Sequence, residues 1–408
     1  MNHKDSDMTR KIPITKPFFD EEERRAIVEP LETGWVVQGP NVAEFEKQFA
    51  NHTGAEFACA TSNCTTALHL ALLALGVGDG DEVVVPAFTY VASQNSVEYC
   101  NAKVVFCDVD LATFNIDVNH LQRLLEADKD RKIKAIMPVS LFGLGADMVR
   151  IMELAKEYDL KVVEDSACAF DTWVAGKHSG TMADAGCFSF HPRKAICTGE
   201  GGMLITSDPE VHEKVRMLKD HGASKSDLER HQQEGGSLLP EFKVRGHNYR
   251  MTDFQGALGV CQMKKAEYIM GERRRIAAKY DEALKVVDRL ITPVVPEGSV
   301  HGYQSYVCLF SDRPASELTM DSVHSNNVIR NRFMTELEKR GIATRQGTHA
   351  VHTLEYYQKR YDLKDEDFFG AYAADRLSIA IPVYAGMSDE DFDYVIDSIK
   401  EVMNLCAE

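Results

Sequence analysis

Along this chain, short apolar runs alternate with stretches in which apolar side chains recur every three or four positions. The runs are EFACAT, DEVVVPA, AKVVFCDV, IKAIMPVS, LKVVEDS, GCFSF and GGMLITS, and their brevity and β-branched content predict strands. Between them, TTALHLALLALG and MVRIMELAKEYD carry helical spacing. Apolar strands separated by amphipathic helices imply a mostly parallel sheet covered on both faces. Ligands then belong at the carboxyl ends of the strands. Upstream, DEEERRAIVEPLETG and NVAEFEKQFANHTG are helical patterns, each closed by glycine.

Around residues 222–245 the pattern breaks into a polar stretch, SKSDLERHQQEGGSLLPEFK, expected to be a surface excursion. The segment FQGALGVCQMKKAEYIMGERRRIAAKYDEALK then predicts one long helix leading into a C-terminal domain. That domain ends in LSIAIPVYAGMSDEDFDYVIDSIKEVMNL, read as a strand, a turn and a capped amphipathic helix. The expected division is a polar tail over 1–12, a large domain over 13–265 and a small domain over 266–408.

Composition narrows the field. The 408 residues suffice for one large α/β domain and a smaller one. With 46 Lys and Arg against 63 Asp and Glu, the formal charge is -17, which argues against nucleic acid or an anionic membrane as the main partner. No run reaches the length of a membrane span, and MNHKDSDMTRKIP places charges where a signal peptide needs apolar residues. A cytoplasmic chain is expected. The ten cysteines, at 59, 64, 100, 107, 168, 187, 197, 261, 308 and 406, are scattered with no CxxC pair. They are expected to be reduced thiols, with neither a zinc site nor a disulfide framework.

Three predicted strand ends carry polar residues that a core does not explain. In TSNCTTALHLAL, Ser62, Asn63, Thr65 and Thr66 lie between strand and helix, where free N–H groups and hydroxyls make an anion site. The plainer reading is that Thr65 is an N-cap. In VVEDSA, Glu164 and Asp165 end an apolar strand, where a carboxylate needs a partner, although a salt bridge or helix cap would suffice. Lys194 in SFHPRKAICTGEGG follows a strand and precedes glycines that permit a tight turn, although a solvated lysine is the commoner case. Together the three ask for one ligand with a phosphate, a ring cation and an aldehyde. Pyridoxal phosphate (PLP) has all three: the helix end takes the phosphate, Asp165 faces the pyridine nitrogen and Lys194 forms the Schiff base.

The segments KPFFDEEERRAIVEPLETGWVVQGPNVAEFEKQFA, GDEVVVPAFTYVA, EDSACAF, GCFSFHPRKAICTGEGG, GHNYRMTDFQGALG and IPVYAGMSDEDFDYVIDSI resemble the PLP-dependent nucleotide-sugar aminotransferases of the DegT/StrS group. The resemblance spans nearly the whole chain. It implies an α/β protein of fold type I, in which a mostly parallel sheet is sandwiched by helices and a smaller α+β domain follows. It further implies that Thr65, Thr66 and Ser189 take the phosphate, that Tyr90 stacks on the pyridine ring, and that Asn248 reaches the cofactor of a neighbouring subunit in a homodimer. The plainer reading of Tyr90 is a core aromatic. Cys168 stands where many relatives have Gln or His near the ring hydroxyl, and SNCTT departs from the SGT of many relatives. A dehydratase branch of the group has histidine at the position of Lys194.

The implied reaction is ping-pong. Lys194 holds PLP as an internal aldimine, L-glutamate donates its amino group, and the freed lysine amine acts as general base. The acceptor is a keto-deoxy sugar of a nucleotide-sugar. Its diphosphate calls for cations, with Arg193, Arg250 and Arg345 as candidates. Trp35 in GWVVQGP and His349 and His352 in THAVHT are further candidates for the sugar pocket, and no metal is assigned. Competing readings are an aminocyclitol aminotransferase, a PLP-dependent sugar dehydratase, and a regulatory binding protein that keeps the fold. Lys194 and Asp165 weigh against the last.

Overall fold

The computed structural model describes residues 10–232 and 240–407. Residues 1–9 of the polar tail and 233–239 of the polar excursion lie outside the described residues. A seven-stranded sheet is built from β1 (Phe57–Thr61), β2 (Glu82–Pro86), β3 (Lys103–Cys107), β4 (Ile133–Ile136), β5 (Lys161–Asp165), β6 (Ala185–Ser189) and β7 (Gly202–Thr206), in the order β1-β7-β6-β5-β4-β2-β3. Strand β7 runs antiparallel to both neighbours, and all the other pairs are parallel. The mostly parallel sheet expected from the apolar runs is therefore present, with one reversed strand inside it.

The near-continuous apolar character of these strands follows from burial on two faces. Val83 and Val85 lie in one apolar cluster and Val84 in another, and all three are fully buried. Each such side chain contributes about 1.5–3 kcal/mol of burial. Helices α1 (Pro40–Thr53), α2 (Cys64–Ala74) and α3 (Ala92–Tyr99) cover the sheet and its edges.

The single long helix expected over the FQGALG segment is two helices, α4 (Asp253–Lys264) and α5 (Ala266–Leu284). The break falls at Lys265, at φ -101 and ψ 0. Its ammonium is anchored outside the helix line by Glu23 Oε2 at 2.8 Å and Asp20 Oδ1 at 2.6 Å. Beyond α5, a three-stranded antiparallel sheet is formed by β8 (Leu290–Ile291), β9 (Tyr306–Phe310) and β10 (Ser378–Ile381). It packs Tyr306, Phe310 and Ile379 against Tyr280 of α5, Phe333 of α6 (Met320–Lys339) and Ile399 of α7 (Asp389–Ala407). In the polar excursion, a short helix at Asp227–Gln232 is followed by exposed Phe242 and Val244.

Candidate active site

Side chains alternate along a strand, and the end of β5 turns this into two opposed carboxylates. Glu164 is wholly buried and saturated. Ser140 Oγ donates to its Oε1 at 2.7 Å, Ser179 Oγ donates to the same oxygen, and the Gly180 N–H donates to Oε2 at 2.6 Å. Such a carboxylate is structural. Asp165, 5% exposed, accepts among the described residues only from Ser93 Oγ at 2.7 Å and the Ala167 N–H at 3.1 Å. Burial pushes its carboxyl above the ordinary value, against the opposing pull of those two donors and of Lys194. A cation brought to the free side of Asp165 would relieve that cost. Ser93 is a site residue that the sequence reading missed; its only signal is its place three residues after Tyr90, at the start of α3.

Strand β6 lies beside β5, with Cys187 opposite Asp165. The chain leaves β6 at Ser189 and turns back, with the Lys194 N–H donating to His191 O at 2.8 Å. This turn delivers Lys194 Nζ to 3.0 Å from Cys168 Sγ. Burial pulls the ammonium down, but Cys168, Cys64 and Asp165 outweigh it and leave the lysine above its usual value. Burial, reinforced by Asp165 and Cys187, pushes the Cys64 thiol well up. From the C-terminal region, Gln304 Nε2 donates to Arg193 O at 2.9 Å and braces the residue next to the lysine.

At the start of α2 the cap is Asn63, not Thr65: Asn63 Oδ1 accepts from the Thr66 N–H at 3.0 Å. Thr66 Oγ1 donates to Asn63 O at 2.7 Å and lies 3.3 Å from Ser62 Oγ. Thr65 is thus released from the capping role, and its hydroxyl has no hydrogen-bond partner among the described residues. The first N–H groups of a helix also lack internal acceptors. Strand β7 passes so close that a Cβ on Gly202 would lie 2.5 Å from Asn63 C and 2.7 Å from Cys64 N. Ser189 Oγ accepts from the His191 N–H at 3.4 Å.

Tyr90 is 65% exposed, which removes the core-aromatic reading and leaves a ring face open above the strand ends. Asn248 is exposed as well. Its neighbour Tyr249 accepts the Ser62 N–H at 2.8 Å, tying this segment to the loop before α2. His349 is exposed in a two-residue strand, His349–Ala350, that pairs with Phe88–Thr89 and so runs alongside Tyr90.

The remaining substrate candidates divide by partner. Arg193 and Arg345 are exposed, and neither guanidinium has a partner among the described residues. Arg250 is ion-paired with Asp220, so its charge is already engaged. Trp35 closes over Gly39, whose Cβ would overlap the ring, and donates from Nε1 to Gln38 O at 3.2 Å. His352, expected as a possible substrate contact, is instead fully buried, with Nε2 3.2 Å from Asp365 O. A shallow cleft lined by Asp128, Lys129, Arg131 and Tyr158 lies at the amino ends of the strands, away from this chemistry.

Among the described residues, His52, Asp171 and His178 have side-chain ligand atoms within 4.8 Å of one another. The Asp171 carboxylate already holds Arg274 Nη2 at 2.6 Å, and His178 is used by the Asp171 N–H at 3.2 Å and Ser179 O at 2.7 Å. The group reads as an ion-pair network.

The cleft fits PLP by its chemistry. A primary amine, an under-coordinated buried carboxylate, an uncovered aromatic face and a free hydroxyl at a helix start converge on the carboxyl ends of β5 and β6. Residues 17–400 match the family model described as the DegT/DnrJ/EryC1/StrS aminotransferase family. The chain is 35% identical over 98% of its length to GDP-perosamine synthase of Caulobacter vibrioides, covering all of that protein. It is 36% identical over 96% of its length to the spore coat polysaccharide biosynthesis protein SpsC of Bacillus subtilis, covering 97% of it. Among solved structures it is similar to Spr1654 of Streptococcus pneumoniae, described as a sugar aminotransferase and solved in a PMP-form. The TM-score is 0.86 and the identity 28%, with 97% of this chain and 100% of that one covered. The chain belongs to the DegT/DnrJ/EryC1/StrS aminotransferase family and is a PLP-dependent sugar aminotransferase of fold type I.

Proposed function

From membership of that family, we propose that the enzyme moves the amino group of L-glutamate to a keto-deoxy sugar carried on a nucleoside diphosphate, in ping-pong order. The observation that carries this reading is the convergence of Lys194 and the under-coordinated Asp165 on one cleft. PLP supplies the electron sink that makes the donor's α-proton removable. The protein does the rest. Asp165, oriented by Ser93 and the Ala167 N–H, holds positive charge on the ring nitrogen. Lys194 would hold the cofactor, and its freed amine would serve as the base for the donor's α-proton.

Thr65, Thr66, Ser189 and the first N–H groups of α2 take the phosphate. Tyr90 would cover one face of the ring, and Cys168 would lie toward its hydroxyl. The unpaired guanidiniums of Arg193 and Arg345 suit a diphosphate, with Trp35 and His349 beside the sugar; Arg250 is engaged elsewhere and ranks below them. Because one relative is named for GDP-perosamine, GDP-linked ketosugars are the first acceptors to screen.

The working form is a homodimer in which Asn248 reaches the phosphate of the partner's cofactor. Supporting this, the same region exposes Phe242 at 65%, an apolar surface a second copy would cover. The division at residue 265 and a cytoplasmic location complete the reading; among the described residues, no helix is long and apolar enough to cross a membrane.

The test is a single turnover without acceptor. PLP-loaded protein given L-glutamate should release one 2-oxoglutarate per site and stop, and adding a GDP-linked ketosugar should restart it. Release with L-glutamine but not L-glutamate would overturn the donor, and continuous release without acceptor would overturn the two-stage order.

A further inference from the structure

The contact between Lys194 and Cys168 has chemistry of its own. Nine of the ten cysteines are buried, and Cys168 alone is partly exposed, in the same cleft as the lysine. Its sulfur lies 3.0 Å from Lys194 Nζ, and Nζ has no other hydrogen-bond partner among the described residues. Both groups sit on braced backbone. The Ala167 N–H is held by Asp165 Oδ1 at 3.1 Å, the Ala169 N–H by Ser166 O at 2.9 Å, and the Lys194 N–H by His191 O at 2.8 Å. An amine and an accessible thiol are thus fixed in contact wherever PLP does not occupy the amine.

We infer that Cys168 and Lys194 form an oxidisable pair: in the cofactor-free protein, hydrogen peroxide joins them through a covalent S–N bond that closes the site to PLP until a thiol reopens it. The inference rests on the proposed function only where it names Lys194 as the cofactor's lysine. In the first step sulfur attacks peroxide. The S–O bond forms as the O–O bond breaks, and the departing hydroxide takes the thiol proton as water; sulfur is oxidised by two electrons and peroxide is reduced. In the second step Lys194, having lost its ammonium proton to solvent, attacks the sulfenic sulfur. The S–N bond forms, the S–O bond breaks, and hydroxide leaves with an N–H proton as a second water. Sulfenic acids condense in this way with nitrogen as well as with thiols. A reducing thiol reverses the closure: it attacks sulfur and releases the protonated amine, and a second thiol frees Cys168.

The experiment treats the full-length cofactor-free protein with hydrogen peroxide and reads its mass and peptide map. The expected product is lighter by two hydrogens, contains a peptide linking residues 168 and 194, and binds no PLP until dithiothreitol restores both mass and binding. Cys168→Ser should lose the link, and Lys194→Ala should leave a sulfenic acid at Cys168 that dimedone captures. A Cys64–Cys168 disulfide, or a sulfinic acid at Cys168 with Lys194 still free, would overturn the inference. Saturating PLP before peroxide separates the two readings: if the link forms equally with PLP present, Lys194 is not the cofactor's lysine, yet the S–N chemistry stands.

Discussion

Two lysines in this protein sit in opposite circumstances. Lys219, 1% exposed, donates to Ala60 O at 2.9 Å and to Glu46 Oε1 at 3.2 Å, and Glu46 also accepts the Ala60 N–H at 2.7 Å. Lys194, only partly buried, meets only a sulfur among the described residues. Burial pulls both ammonium groups down, and nearby acidic groups carry both above the usual lysine value. The direction of titration therefore does not distinguish them; burial and the strength of the partners do. A lysine held by a carboxylate and a carbonyl is fixed in place, whereas one left with a weak acceptor is free to bond elsewhere. Glu164 and Asp165 repeat the contrast with carboxylates on one strand: three donors hold the first and two hold the second.

This contrast can be broken by substitution. Lys194→Ala should lower the glutamate half-reaction by at least about 10³-fold, because both the covalent anchor and the proton-transfer base are lost. Its circular dichroism should match the wild type. Asp165→Asn should cost about 10²-fold or more in the same assay by removing the charge opposite the ring nitrogen, while Glu164→Gln should act mainly on stability. The reverse holds for Lys219→Met: denaturant unfolding should show a loss of about 2–4 kcal/mol, with turnover of the folded fraction within a few-fold of wild type. If Lys219→Met instead abolished turnover without destabilising the fold, partner saturation would not separate structure from function.

A buried base with a weak partner sharpens the comparison through pH. His69, 4% exposed, has its ring nitrogen 3.3 Å from the Tyr249 hydroxyl, and burial, aided by the charge of His247, lowers it to about 4. Its folded value lies below its unfolded value, so between about 6.5 and 4 the unfolded chain binds more protons. The stability from neutral His69 is complete above that window and is lost as pH falls through it, by up to about 3 kcal/mol. In stability curves, His69→Phe should gain up to about 3 kcal/mol relative to wild type as pH falls from 6.5 to 4, because the variant lacks this titration. The smallest effect is expected for Ser93→Ala, about tenfold in the half-reaction from one charge-assisted hydrogen bond to Asp165.

The sheet was legible because each strand is apolar on both faces: Val83, Val84 and Val85 leave little room for another reading. Lys194 and Asp165 stood out as candidates because a carboxylate ending an apolar strand needs a partner and a lysine follows the neighbouring strand. Ser93 was not, since a serine in a helical stretch carries no mark of the carboxylate it will meet. The cap at Asn63 displaced the expected Thr65 because the capping geometry depends on where α2 begins, and pattern alone places such a boundary within a few residues. The break at Lys265 was hidden for a similar reason, as its anchors at Asp20 and Glu23 are more than 240 residues away along the chain. Likewise the Asp220 partner of Arg250 lies 30 residues away, so spacing could not separate that arginine from Arg193 and Arg345.

The measurement that bears most directly on Lys194 is the visible absorption of the PLP-loaded protein before and after L-glutamate, in wild type and Lys194→Ala. Wild type should show the band of lysine-bound PLP, lose it on adding L-glutamate, and yield pyridoxamine phosphate. Lys194→Ala should show no lysine-bound band and no turnover. A wild-type protein that takes up no PLP, or a Lys194→Ala variant that still converts PLP to pyridoxamine phosphate at the wild-type rate, would contradict the assignment of Lys194.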